Sequence, residues 1–193
     1  MPHISFHNKE ISFKIVYFGP GWSGKTTNLV RIHAKVAEAM RGDLVMLDTE
    51  QERTLFFDFL PMELGRIGGY AVRLNLYTVP GQIYYEASRR LILDGADGVV
   101  FVADSQSSRL DANLMSFSLL QENLQSYGVE WRSFPIVLQY NKRDVDAPID
   151  VGTLERSLGL NGITVVEAVA LEGRGVMETI AAVSRQVIAG FDL

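Results

Sequence analysis

Apolar positions along the chain change period repeatedly, and those changes mark out an alternation of strands and helices. Near the N-terminus Ile4 and Phe6, then Ile11, Phe13 and Ile15, alternate with polar residues on either side of Asn8, Lys9 and Glu10. A period of two is the signature of a half-buried strand, so the pattern predicts an N-terminal hairpin running into a strand over 11–18. A Gly-rich stretch follows, and then a helical segment that begins near Lys25 and is expected to end before Gly42, a residue suited to a helix C-terminus. The pattern loosens from Asp43 to Leu64, where 44–47 and 49–59 read as a loop and a strand.

Gly68 and Gly69 punctuate the chain as a turn. Beyond it Val72, Leu74 and Leu76 alternate with Arg73 and Asn75, which predicts an antiparallel hairpin inside an otherwise parallel sheet. There follow a helix over about 84–93, a continuous apolar strand at 99–103, and a helix with Leu110, Leu114, Phe117 and Leu124 on one face. The remainder reads as a strand at 135–140, a short helix near Leu154, a strand at 163–169, and a last helix with Val176, Ile180, Val183 and Val187 on one stripe. Such alternation defines the α/β class, with helices on both faces of the sheet. No repeat, linker or low-complexity tract interrupts it, so 1–193 reads as a single domain.

Composition acts mainly by exclusion. A chain that is 47% hydrophobic and 21% charged has the apolar content to fold, which a disordered chain lacks. Its 18 Lys and Arg against 23 Asp and Glu leave a net charge of −5, so it carries no basic footprint and no nucleic acid is expected as a partner. Without Cys there is no disulfide, thiolate metal site, Cys nucleophile, prenyl group or palmitoyl group. His3, His7 and His33 show no metal-ligand spacing. The N-terminal residues lack the charged start and apolar run of a signal peptide, and no apolar stretch is long enough for a bilayer, which predicts a cytoplasmic protein with no stable membrane anchor.

The Gly-rich stretch carries the chemistry. Gly19, Pro20, Gly21, Trp22, Ser23, Gly24, Lys25 and Thr26 match the phosphate-loop spacing G-x-x-x-x-G-K-S/T, placed as the motif requires between a strand and a helix. Glycines let backbone N–H groups turn inward around a polyphosphate, and the helix N-terminus adds its dipole. Lys25 is expected against the β and γ phosphates, Thr26 on Mg²⁺, and Thr27 beside it. Asn141, Lys142, Arg143 and Asp144 follow directly after the strand at 135–140, at the end where such sheets bind ligands. A carboxylate at Asp144 accepts from both the ring N–H and the exocyclic amine of guanine, whereas adenine presents an unprotonated ring nitrogen there, so the base is read as guanine. Asp104 and Ser105, after the central apolar strand, read as a helix cap rather than a catalytic acid.

These motifs resemble the Ras-like small GTPases over nearly the whole chain. More narrowly, GPGWSGKTTNL at 19–29, ERTLFFDFLP at 52–61, LYTVPGQ at 76–82, ASRRLILDGADGVVFVADS at 87–105 and QYNKRD at 139–144 are similar to the bacterial MglA family of gliding-motility and cell-polarity GTPases. The resemblance implies a Ras-like P-loop G domain with a mostly parallel six-stranded sheet, extended at an edge by the N-terminal hairpin. It also implies a GTP/GDP switch that needs Mg²⁺, switch-region effectors, recruitment to cell poles by partners, and a roadblock-fold homodimer of the MglB type acting on turnover.

Carried over by position, Thr54 matches the switch threonine that coordinates Mg²⁺, although an ordinary strand threonine would read the same. Gln82, after Pro80 and Gly81, matches the residue that orients the attacking water. Arg53 matches an arginine finger supplied by the chain itself; the competing reading is a solvent-facing arginine among Glu50, Gln51 and Glu52. Ala170 sits where the family places a backbone contact to the base. The pattern departs from the family at Thr78, where Ras-like proteins usually carry the Asp of Asp-x-x-Gly, and this argues for a second reading, a nucleotide-binding interaction module without turnover. A P-loop kinase fits neither the guanine motif nor the lack of an Arg-rich lid. Phe56, Phe57 and Phe59 beside Thr54 read equally as core or as a partner anchor.

Overall fold

The structure, a computed structural model, describes residues 2–47, 57–81 and 85–191. In chain order the elements are β1 (His3–Ser5), β2 (Glu10–Phe18), α1 (Lys25–Lys35), β3 (Val45–Leu47), β4 (Phe57–Ile67), β5 (Tyr70–Thr78), α2 (Glu86–Leu93), β6 (Gly98–Asp104), α3 (Leu110–Ser126), β7 (Ile136–Asn141), α4 (Thr153–Leu158), β8 (Thr164–Glu167) and α5 (Val176–Ala189). The strands form one sheet in the order β3-β4-β5-β2-β6-β7-β8, with β1 beside β2. The pairs β2–β5, β2–β6, β6–β7 and β7–β8 are parallel, while β3–β4, β4–β5 and β1–β2 are antiparallel.

Side chains alternate across β2, and this splits the interior into two layers. Ile11, Phe13, Ile15 and Tyr17 join Leu29 and Ile32 of α1 and Val176, Ile180, Val183 and Val187 of α5. Val16 and Phe18 point the other way, into the layer of Ile92 and Leu93 of α2 and Phe117, Leu120 and Leu124 of α3. β6 is buried along its whole length, which is why its sequence is a continuous apolar run rather than an alternation. The Tyr17 hydroxyl is buried with no hydrogen-bond partner among the described residues, a burden of about 1–3 kcal/mol that burial also expresses by pushing the phenol upward.

Three expectations are corrected. Within 44–47, read as a loop, Val45–Leu47 form β3, paired antiparallel with β4. The first helix ends at Lys35, not just before Gly42. The backbone turns extended at Val36 (φ −76°, ψ 135°), whose N–H still donates to Ile32 O at 2.9 Å, and the β-branched side chain packs, partly buried, on the α1–α5 layer. Gly42 instead donates its N–H to Pro61 O at 2.9 Å and fastens the connection to β4. The N-terminal hairpin is likewise not at a sheet edge. β5 occupies one side of β2 from Glu10 to Tyr17; β1 pairs with Glu10, Ile11 and Ser12 on the other side, and β6 takes over from Ile15 to Phe18. No helix among the described residues is long and apolar enough to cross a membrane.

Candidate nucleotide site

Every parallel strand ends on the same side of the sheet, and the loops leaving β2, β5, β6, β7 and β8 meet there, as expected of an open α/β sheet. The loop between β2 and α1 is bent by left-handed backbone at Gly19 (φ 142°), Trp22 (φ 68°) and Gly24 (φ 102°). Gly24 has no substitute, because a Cβ there would lie 2.2 Å from Asn141 Nδ2. Trp22 keeps its ring in solvent, 85% exposed.

Lys25 opens α1 and folds back over the loop, donating from Nζ to Gly19 O at 2.9 Å and Pro20 O at 2.8 Å. Burial pushes its ammonium down to about 7; the Asp58 carboxylate works against that fall and Arg89 adds to it. A polyphosphate would favour the charged form, so ligand uptake near neutral pH is expected to draw a proton onto Lys25. A cleft of about 660 Å³ lies in front of this residue, lined by Gly21, Trp22, Gly24, Lys25, Thr26 and Thr27 on one side and Asp58, Thr78 and Gly81 on the other. Gly81 packs so tightly that a Cβ would fall 2.4 Å from Gly21 N.

Asp58, on β4, had no place in the sequence reading. Its Oδ2 accepts from Thr26 Oγ1 at 2.5 Å and from Thr78 Oγ1 at 2.9 Å, and its N–H donates to Thr78 Oγ1 at 2.8 Å. The carboxylate expected at 78 has in effect moved one strand over, and a hydroxyl opposite it avoids two facing negative charges. Only cross-strand pairing brings 58 and 78 together, so no local motif could reveal this. Thr26 and Asp58 are hard oxygen donors of the kind that hold Mg²⁺ directly or through water, and the site fits that ion. Asp58→Asn is expected to raise the Mg²⁺ needed to retain GDP about ten- to a hundredfold, and Thr78→Asp in that background to bring it back. A Mg²⁺ titration of GDP release unchanged by Asp58→Asn would show that the carboxylate does not serve.

Asn141 ends β7 and bridges two loops: Nδ2 donates to Ser23 O at 2.7 Å, and Oδ1 accepts the Ala170 N–H at 2.8 Å. The Ala170 amide, expected as a contact to the base, donates to this side chain. Lys142, in left-handed backbone (φ 63°), donates from Nζ to Asp104 Oδ2 at 2.7 Å. Arg143 braces the turn through Glu167 Oε2 at 2.8 Å and Ile149 O at 2.6 Å, leaving Asp144 exposed beyond it. Asp104 is not the helix cap expected of it: the N-cap of α3 is Arg109 with no side-chain cap bond, and the carboxylate accepts from Lys142 and from the Gln106 N–H.

The loop at 19–26, the Thr26 hydroxyl with the Asp58 carboxylate, and the turn at 141–144 therefore converge, while Arg53, Thr54, Gln82 and Phe56 lie outside the described residues. Phe57 and Phe59 rest against Tyr77, with ring centroids 5.8 and 4.8 Å away. This fold and this loop geometry are those of a Ras-like small GTPase. The chain is 50% identical over 188 residues, 97% of its own length and 96% of the other's, to the mutual gliding-motility protein MglA of Myxococcus xanthus (strain DK1622), and it belongs to the MglA family of Ras-like small GTPases. No family model matches it.

Proposed function

We propose that this protein binds GTP and GDP with Mg²⁺, hydrolyses GTP to GDP and phosphate, and acts as a molecular switch in gliding motility or cell polarity. The observation that carries the reading is the joining of Lys25, Thr26 and Asp58 in one cleft with a phosphate loop that Asn141 ties to the base-side turn. Lys25 neutralises charge on the β and γ phosphates, backbone N–H groups of 21–27 hold the polyphosphate, and Asp144 reads guanine. Thr26, Thr54 and Asp58, the last directly or through water, would hold Mg²⁺, which would supply positive charge against the phosphates. Gln82 orients the water and Arg53 stabilises charge on the transferring group.

The switch segments at 49–61 and 79–90 change with the nucleotide, and partners read the difference. A roadblock-fold homodimer of the MglB type stimulates turnover by holding Arg53 and Gln82 in place, and partners at the cell pole set its location. The case for a nucleotide holder without turnover rested on Thr78, and Asp58 weakens it. The test is single-turnover hydrolysis of GTP with Mg²⁺, alone and with the roadblock partner. Unaided turnover is expected on the order of 10⁻⁴ to 10⁻³ per second. Tight GTP binding with no hydrolysis in either condition would leave the interaction module as the function.

A further inference from the structure

The mechanism above makes no use of Asp104 and Arg109, yet these two join its halves. Asp104 is the last residue of β6, its side chain 1% exposed. Asn113 of α3 clamps its backbone from both sides, accepting the Asp104 N–H at 2.9 Å and donating to its carbonyl at 2.8 Å. The carboxylate thus held takes Lys142 Nζ at 2.7 Å and faces Arg109 Nε at 3.9 Å. Arg109 in turn donates from Nη2 to Gly21 O at 2.9 Å, inside the phosphate loop. A buried carboxylate is tolerated only when paired, and here one of its cations, Lys142, belongs to the turn after β7 while the other, Arg109 at the start of α3, reaches the phosphate loop.

The Gly21 contact has a consequence for the loop. The peptide joining Gly21 to Trp22 is trans, so its carbonyl and N–H point in opposite directions. Gly21 and Trp22, with Gly81, line both the nucleotide cleft and a second hollow of about 310 Å³ that Arg109 also lines. Drawing the carbonyl toward Arg109 turns the Trp22 N–H toward the cleft, where a polyphosphate needs donors, and keeps a repelling carbonyl out of it. Trp22 must adopt left-handed backbone to allow this, a conformation a tryptophan holds only when its surroundings impose it.

We infer that Arg109, oriented by Asp104, is a positioning residue that sets the phosphate loop for nucleotide, and that Asp104 couples this loop to the guanine-reading turn through Lys142. The inference rests on the proposed guanine-nucleotide binding. It is tested by loading the protein with a fluorescent GDP analogue and following its displacement by excess GDP at fixed Mg²⁺. Arg109→Ala is expected to speed release about tenfold or more, since a charged hydrogen bond is lost, and Arg109→Lys to restore most of it because the ammonium still donates to Gly21 O. Asp104→Asn should speed release too, and combining it with Arg109→Ala should give less than the product of the two single effects, since both loosen the contact at Gly21 O while only Asp104→Asn also frees Lys142; a full product would overturn the role of Asp104 in orienting Arg109.

Release from Arg109→Ala at the unmodified rate would overturn the inference, as would a loss that Arg109→Lys does not rescue, which marks a purely structural role. If Arg109→Ala does not fold, Arg109→Gln serves, keeping a donor for Gly21 O while losing the charge facing Asp104; an unmodified rate there overturns the coupling. An unmodified protein that takes up no guanine nucleotide would defeat the underlying reading itself, an outcome distinct from all of these.

Discussion

Arg53→Ala is expected to remove most partner-stimulated GTP turnover, on the order of a thousandfold or more, while GTP affinity stays within a few fold. Charge gathers on the γ-phosphate oxygens only as the bond to the leaving diphosphate breaks, so a guanidinium that meets it there lowers the barrier without adding to ground-state binding. Arg53 adjoins Thr54 in the sequence, and the proposed switch delivers both together. Gln82→Leu should show the same split, because an orienting amide also acts only on the way to the transition state. Single-turnover hydrolysis at saturating roadblock partner reads both variants. Stimulation undiminished in Arg53→Ala would mean that the arginine comes from the partner, and loss of partner binding would mean that Arg53 docks rather than catalyses.

Asp144→Asn should weaken GDP binding about a hundredfold or more and improve binding of xanthosine diphosphate. The amide loses the paired acceptor that guanine requires and gains a donor for the extra oxygen of xanthine. Calorimetric titration with GDP, xanthosine diphosphate and ADP on both proteins measures the exchange. Equal affinity of the unmodified protein for GDP and ADP would remove the guanine assignment at its root.

What the sequence disclosed and what it hid follow from the range of the interactions. The phosphate loop was legible because its chemistry is local: glycines at fixed offsets, a lysine and a hydroxyl at the mouth of a helix. β6 declared itself by a run of apolar residues that only double-sided burial explains. Gly68 and Gly69 announced the β4–β5 hairpin. Asp58 stayed hidden because its role depends on facing Thr78 across two strands, a relation set by register and not by spacing. Asp104 was read as a cap for a similar reason, its real partners lying 38 positions along the chain at Lys142 and at Arg109 after the next turn. The end of α1 is misplaced because Gly42 looks like a stop, whereas the chain has already left the helix at Val36 and by Gly42 lies against Pro61 of β4.

The placement of β1 bears on how safely this chain can fold. β2 is longer than the part of β6 that pairs with it, and a bare stretch of central strand would offer unpaired amides and carbonyls to any other extended chain. Here β1 covers Glu10 to Ser12, β6 covers Ile15 to Phe18, and between them the Lys14 N–H donates to Asp97 Oδ2 while its carbonyl accepts the Asp97 N–H, each at 2.8 Å. A chain lacking 1–9 would keep the nucleotide cleft but expose that stretch of β2, and its hazard would be self-association through the sheet rather than any failure to bind ligand.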